Sequence, residues 1–510
     1  MRTLFLKKSI AQIQRETGTS ELKRSLSALN LVSLGIGCIV GAGIFSLTGE
    51  QTAVYAGPAI LISFVFAAIA CAFAALCYAE LASTLPVSGS AYTYAYATLG
   101  ELPAWIMGWL LILEYGIAAS TVAVSWSGYF VSLLKDMNII IPAALTAPTL
   151  LYDPNIGGLK ALGLSHAFNL PAFGSVMLLT ALLIMGVKES ATMNNVIVAL
   201  KVTVLVLLIV VGLPHINTAF WHPFIPNPVV INDTQTSMPV VHYGWPGILH
   251  AAAVISFAFV GFEAVSTAAQ EAKNPQRDMP IGILVSLAVC TVLYVLVGMV
   301  LTGLVHYTDL NVPDPLAVAV DALHIGWLKW VVKTGAIIGM FSVTLVLLYG
   351  QTRIFYSMGR DRLLPALFAT IHPRLHTPHW NTLIVGFITA FVAGFTPIDI
   401  LGDLVSLGTL LAFAIVCFSV LYLRYTHPEM PRVFKVPFYP LTPLLGIAAC
   451  VWLMWGILNM MELLFLYYIP VGLLVYFFYG RKHSLVRKHA LPAPEIALTS
   501  PVMEQNSSIL

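Results

Sequence analysis

The chain has 510 residues, 58% of them hydrophobic and 9% charged, with a net charge of +2. Soluble globular proteins carry about 25% charged residues, so the composition describes an integral membrane protein. The near-neutral balance, without a basic patch carrying interleaved aromatics, excludes a nucleic-acid partner.

The first 27 residues are basic and polar (Lys7, Lys8, Arg15, Lys23, Arg24) and lack the apolar core of a cleavable signal peptide. Runs of about 20 apolar residues predict membrane-spanning helices. Twelve are expected, near 29–48, 58–84, 103–134, 171–187, 192–213, 245–271, 280–304, 328–357, 381–396, 399–424, 441–459 and 462–480. The third and eighth exceed a bilayer's thickness, so they tilt or project from it. The stretch 88–100, SGSAYTYAYATLG, reads as a short helix lying at the cytoplasmic interface. With the N-terminus inside, 20 of the 25 Lys and Arg fall on the cytoplasmic side. Only Lys135, Lys160, Lys329 and Lys333 fall outside, the bias expected of a cytoplasmic N-terminus and C-terminus. All six cysteines lie in apolar runs, which excludes an extracellular disulfide framework and CxxC metal spacing. Asn232 opens a glycosylation sequon in one of two long external loops. The tail beyond Arg481 is basic, then polar, and reads as disordered.

Within the first span, Gly35–Phe45 reads GIGCIVGAGIF, four glycines in eleven residues. Glycine costs roughly 1 kcal/mol against alanine in a helix, so a plain spanning helix has no need of this run. One reading is close helix packing, because Gly37 and Gly41 form a GxxxG. The other is an unwound segment whose freed N–H groups at Gly41, Ala42 and Gly43 take an anion, while carbonyls just before them suit an ammonium group. A zwitterion fits that pair. In folds built on inverted repeats the first span has its counterpart five helices later. The sixth span offers SFAFVGFEAVS, with Gly261 mid-span and Glu263 in an apolar run.

A carboxylate at membrane depth costs about 2.5–3.5 kcal/mol on insertion scales and usually faces a cavity or partner. Glu263 is therefore either a gating group or a hydrogen-bonded structural acid. Lys201, half-way along the fifth span, either carries a coupled proton or is a structural lysine paired with Glu114 of the third span. Glu114 itself either pairs with Lys201 or lines the pathway. Arg353 reads as an interfacial anchor. The tract His372–His379 is broken by two prolines and reads as a solvated loop rather than a metal site. There is no HExxH, no nucleophile with a base at motif spacing and no cofactor motif, which argues against an enzyme.

Four blocks carry a resemblance: GIGCIVGAGIF, then AELASTLPVSGSAYTYAYATLGELPAWIMGW (Ala79–Trp109), FAFVGFEAVSTAAQEAKNPQRDMP (Phe257–Pro280) and YGQTRIFYSMGRDRLLP (Tyr349–Pro365). Over residues 20–480 the chain resembles the amino acid–polyamine–organocation (APC) superfamily, specifically the bacterial relatives of the cationic amino acid transporters. The resemblance implies an all-α membrane protein with a LeuT-type 5+5 inverted repeat, helices one and six being unwound mid-membrane. It implies backbone binding of a substrate carboxylate at Gly41, Ala42 and Gly43. The amine goes to carbonyls of Ile39, Phe257, Ala258 and Val260. It also implies proton coupling through Lys201 and gating at Glu263. Where cationic-selective members carry a small residue facing the substrate side chain, this chain has Leu347. Twelve spans, not the fourteen of animal relatives, match the bacterial branch.

The resulting organisation is a cytoplasmic segment 1–27, a first repeat 28–213, an external loop 214–244, a second repeat 245–424, two further spans in 425–480 and a cytoplasmic tail 481–510. The expected function is proton-coupled import of small or medium neutral amino acids across the cell membrane. Alternatives are an exchanger, a carrier of cationic amino acids or polyamines, or, in another class, a substrate-sensing receptor. The resemblance leaves room for a small single-span accessory protein packed on the bundle.

Overall fold

The computed structural model describes residues 6–8, 26–85, 90–152, 162–186, 191–231, 240–269, 271–375, 377–457 and 463–490. The sequon asparagine Asn232 and also His376 lie outside them. Ser27 starts α1 (Ala28–Ile39), its hydroxyl accepting from the Asn30 N–H. After a break at Val40 the chain resumes as a helical stretch 43–56, in which π turns flank a short α segment. There follow α2 (Ile60–Thr84), α3 (Ser90–Thr98), α4 (Glu101–Asp136), α5 (Leu170–Ile184) and α6 (Ala191–Gly212). Next come α7 (Gly244–Ile255), extended by 3-10 turns to Ala268, then α8 (Pro275–Leu304), α9 (Pro315–Ala322) and α10 (Gly326–Arg360). The chain closes with α11 (His379–Phe395), α12 (Ile398–Thr426), α13 (Leu441–Trp455), a helical stretch 463–483 and α14 (Leu485–Ala490). The loops hold two small antiparallel hairpins, β1 (Leu150–Tyr152) with β2 (Leu162–Leu164) and β3 (Val229–Ile231) with β4 (Val240–His242).

Seven stretches among the described residues are long and apolar enough to cross a membrane: Gly43–Thr84, Glu101–Asp136, Thr192–His215, Gly244–Ala268, Pro275–Leu304, Gly326–Arg360 and Ile398–Thr426. Helices α1, α5, α11 and α13 are apolar but shorter, at 10–17 residues. A 15-residue helix such as α5 or α13 rises about 23 Å, against a hydrocarbon core of about 30 Å. Three of them have a local reason. The break ends α1, the Asn169 side chain caps α5, and Pro378 and Pro397 bound α11.

Helices α4 and α10, at 36 and 35 residues, pack against each other as the longest pair. Around them α1 lies on α8 and α7 on α2; α4 on α12 and α10 on α6; α4 on α11 and α10 on α5; α2 on α12 and α8 on α6. The loop-bearing ends of the long pair are pinned by ions. Asp136 meets Lys329 at 2.5 Å and Lys333 at 2.7 Å, and Lys333 reaches Asp321 at 3.2 Å.

At the opposite face, two expectations need correction. The helix Ser90–Thr98 is packed into the protein rather than laid on its outside: Tyr92, Tyr94 and Tyr96 are buried. Its tyrosines alternate with small residues and reach inward, Tyr92 donating to Asp361 at 2.8 Å and Tyr96 to Glu101 at 3.3 Å. The first part of the tail, 481–490, is helical rather than loose. Arg487 pairs with the buried Glu101 at 2.7 Å, and Tyr476 and Ser484 donate to the same carboxylate. From the other terminus Lys8 reaches Asp361 at 2.8 Å. Glu80, buried in α2, accepts from Arg424 and from the Val436 N–H.

Removing one partner of a buried ion pair costs about 3–5 kcal/mol, whereas a part-exposed pair is worth about 1 kcal/mol or less. Glu80→Ala should therefore lower the melting temperature of the detergent-solubilised protein far more than Lys329→Ala, as read by intrinsic fluorescence.

Candidate functional site

The break in the first span is real and local. Val40 leaves the helix at φ −73° and ψ 92°, while its N–H still bonds the Ile36 carbonyl. The next helical stretch begins at Gly43, so the N–H groups of Gly41, Ala42 and Gly43 stand at a helix start, where the first turn supplies no acceptor. The sixth span breaks likewise: α7 tightens into a 3-10 turn at Ser256–Phe259, and Gly261 takes φ +123°. Left-handed backbone of that kind is open to glycine and strained for other residues.

The two breaks touch. A Cβ on Gly43 would stand 2.3 Å from the Ala258 Cα, and one on Gly261 would stand 2.7 Å from the Cys38 carbonyl carbon. Close packing and an unwound polar segment are therefore one feature here, not alternatives. The arrangement brings Gly43 against Ala258 and Gly261 against Cys38 and Ile39, and Gly41, Ala42, Phe257 and Val260 are buried as well. Of the expected ammonium-binding carbonyls, Ile39 accepts from the Tyr294 hydroxyl at 2.8 Å and Phe257 from the Val260 N–H at 2.9 Å. A carbonyl oxygen has two lone pairs, so each retains one.

An apolar wall flanks the breaks. A Cβ on Gly41 would touch Val343 of α10 at 3.3 Å. Leu347 follows four residues later on the same helix face and is buried. Two apolar branched side chains on that face offer nothing to a guanidinium.

Lys201 is fully buried in α6, and its ammonium donates to the Gly37 carbonyl at 2.8 Å. Gly37 lies in the last turn of α1, whose carbonyls have no onward helical partners, so the cation sits at the negative end of a helix dipole. Gly339 of α10 makes room for the lysine stem; a Cβ there would lie 3.0 Å from its Cγ. Pairing of Lys201 with Glu114 does not occur, because both Glu114 carboxylate oxygens are buried without a hydrogen-bond partner. Glu114 instead adjoins Thr409 and lies within electrostatic reach of Glu263 and Tyr78. Glu263 accepts from the Gly261 N–H at 2.8 Å and so caps the second break directly. Arg353 is exposed and rests on Tyr349. In the histidine tract, His372 Nδ1 accepts from the N–H groups of Arg374 and Leu375 and so caps a turn.

The sequence did not single out Tyr294, Val343 or Tyr129, whose hydroxyl donates to the Phe45 carbonyl at 2.6 Å. A lone tyrosine inside an apolar run, as in TVLYVLVG, is the available signal. In such a run its hydroxyl needs a buried acceptor. Nor did it place α9, whose Pro315 packs on Gly49 and covers the stretch 43–56 from the loop side.

The chain matches the Amino acid permease family over residues 26–483. It is 45% identical to the methylthioribose transporter of Bacillus subtilis over 96% of this chain and 100% of that protein. It is also 45% identical to the branched-chain amino acid permease BcaP of the same organism, over 94% and 98% of the two chains. With the vacuolar cationic amino acid transporter 4 of Arabidopsis thaliana it shares 37% identity over 84% of this chain and 68% of the relative.

Gly43→Val forces apart two backbones already in contact and should abolish ligand binding, measured as ligand-induced thermal stabilisation. Wild-type stabilisation in that variant would remove Gly43 from the site.

Proposed function

Because the chain belongs to the amino acid permease family, within the APC superfamily, we propose that it is a proton-coupled symporter importing small or medium neutral L-amino acids by alternating access. It is a multi-pass plasma-membrane transporter and not an enzyme. The observation that carries the reading is the contact between two helix breaks, with helix-start N–H groups on one side and spare carbonyl lone pairs on the other. That pair of ends complements an α-carboxylate and an α-ammonium group.

Helix packing supports a 5+5 repeat within twelve spans. Several neighbour relations recur with an offset of five spans: α1 on α8 with α7 on α2, and α4 on α12 with α10 on α6. The excess of Lys and Arg on the termini face supports cytoplasmic ends. Val343 and Leu347 support a neutral aliphatic side chain over a cationic one. Lys201 is the proton carrier in this reading. Its ammonium bonds one carbonyl of the first break, so losing the proton loosens α1 at the substrate site. A fixed cation there also repels sodium.

A second reading follows from the equal identity to the methylthioribose transporter: a neutral thiosugar substrate. Such a molecule lacks both charged ends, so it leaves the two backbone termini unmatched.

Uptake of labelled amino acids and of methylthioribose into sodium-free proteoliposomes, with and without an inward proton gradient, separates these readings. Accumulation of neutral amino acids that collapses with the gradient supports symport. Movement only against preloaded amino acid indicates an exchanger, and uptake of the thiosugar alone indicates the second reading. Lys201→Ala should lose pH-driven accumulation while retaining measurable substrate binding; normal accumulation would remove its coupling role. Leu347→Ser should widen the substrate range toward larger or cationic side chains, and an unchanged profile would take Leu347 out of the pocket.

A further inference from the structure

A group of titratable side chains on the loop face takes no part in the substrate site. Glu50 and Gln51 belong to the stretch 43–56 that follows the first break, and both are buried. Gln51 Nε2 donates to Glu50 Oε1 at 3.1 Å, which fixes its amide against the carboxyl. Glu50 Oε2 and Gln51 Oε1 have no donor within reach. The carboxyl of Glu50 lies beside that of Asp399, in the first turn of α12. Asp403, one turn on and buried, faces His250 of α7, with Oδ1 to Nε2 at 4.0 Å. His250 is held by the Gly456 carbonyl at 2.8 Å and stacks on Tyr55 at 3.7 Å. His242 lies on the other side of Tyr55, at 5.1 Å between rings, and Tyr243 donates to the Ala53 carbonyl nearby. Asp399 is half-buried.

Two carboxylates offer only acceptors to each other, so a hydrogen bond between them requires a proton. Among the described residues no lysine or arginine forms an ion pair with Glu50, Asp399 or Asp403, and no metal-binding group forms there. The unsatisfied Gln51 oxygen adds a further acceptor to the same place. Three carboxyl groups and a buried amide oxygen, with His250 as the adjoining base and His242 beyond Tyr55's ring contact, have the chemistry of a proton site.

The geometry points to a second proton-binding site, in which Glu50 and Asp399 share a proton taken from the external solution, with His250–Asp403 as the neighbouring relay. The inference rests on the symport reading above. The site joins three elements: the stretch 43–56, α7 and α12. With the proton in place the stretch 43–56 is drawn onto α12, which closes the loop face over the substrate. Without it two adjacent carboxylates repel, and that face opens. The proton balance is simple: one H⁺ leaves external water, binds between the two carboxyls and is released when they part.

The test measures uptake against external pH at fixed internal pH in proteoliposomes of known orientation, alongside substrate counterflow. Glu50→Gln keeps the shape and donates a permanent hydrogen bond to Asp399. It should flatten the external-pH response while counterflow persists, and Glu50→Asp should restore a response. Asp399→Asn carries the same prediction should Glu50→Gln fail to fold. An unchanged pH profile in either folded variant overturns the proposal, as does a response to internal pH alone or a requirement for sodium or potassium in place of the proton. If the wild-type protein itself shows no proton-driven uptake, the symport reading fails first, and that outcome is visible before any variant is made.

Discussion

Everything in this molecule is organised by the need to satisfy backbone polar groups where no water reaches. In hydrocarbon an unpaired N–H or C=O costs several kcal/mol, so a spanning helix can be interrupted only where another part of the protein supplies the missing partners. Here two interruptions supply each other with shelter. Gly43 fits against Ala258 and Gly261 against Cys38 because none of those approaches leaves space for a Cβ. Tyr294, Tyr129, Lys201 and Glu263 then take up freed carbonyls and an N–H around the pair. The helix-start N–H groups of the first break and the second lone pairs of the Ile39 and Phe257 carbonyls are the groups that the symport proposal assigns to a zwitterion.

The buried charges follow the same rule with larger energies. Lys201 is tolerated at full burial because a helix end offers it a carbonyl and a partial negative charge. Glu80 and Glu101 are tolerated because arginines and hydroxyls or N–H groups surround them. Glu114 differs, since both its oxygens lack partners among the described residues. It shares its neighbourhood with the hydroxyls of Tyr78, Tyr94, Tyr115 and Thr409, which lack hydrogen-bond partners too. Buried polar groups in such a cluster are ordinarily satisfied by water or ligand.

Much of this was legible in the sequence, because the features concerned are chemically expensive. A glycine run inside an apolar span, a glutamate in a second one and a lysine in a third each cost energy that only a specific environment offsets. Both breaks fall in stretches singled out for that reason, and the length of the apolar runs anticipated the long α4 and α10. What the sequence left ambiguous was pairing. Nothing in the spacing chooses between Glu114 and Gly37 as the partner of Lys201, since the choice depends on how α1, α4 and α6 pack. The polar helix Ser90–Thr98 was read as interfacial because its composition is intermediate, yet its tyrosines find buried acidic partners distant in sequence. The docked tail was missed likewise: a basic segment reads as solvated until Glu101 is seen to receive Arg487.

The central claim is that amino acid and proton cross together. It is tested most directly with a pH-sensitive dye sealed inside sodium-free proteoliposomes, to which a neutral amino acid such as leucine is added outside at equal pH on both sides. The account predicts acidification of the interior that depends on the amino acid and is absent from protein-free vesicles. Entry of labelled leucine with no movement of protons would contradict it.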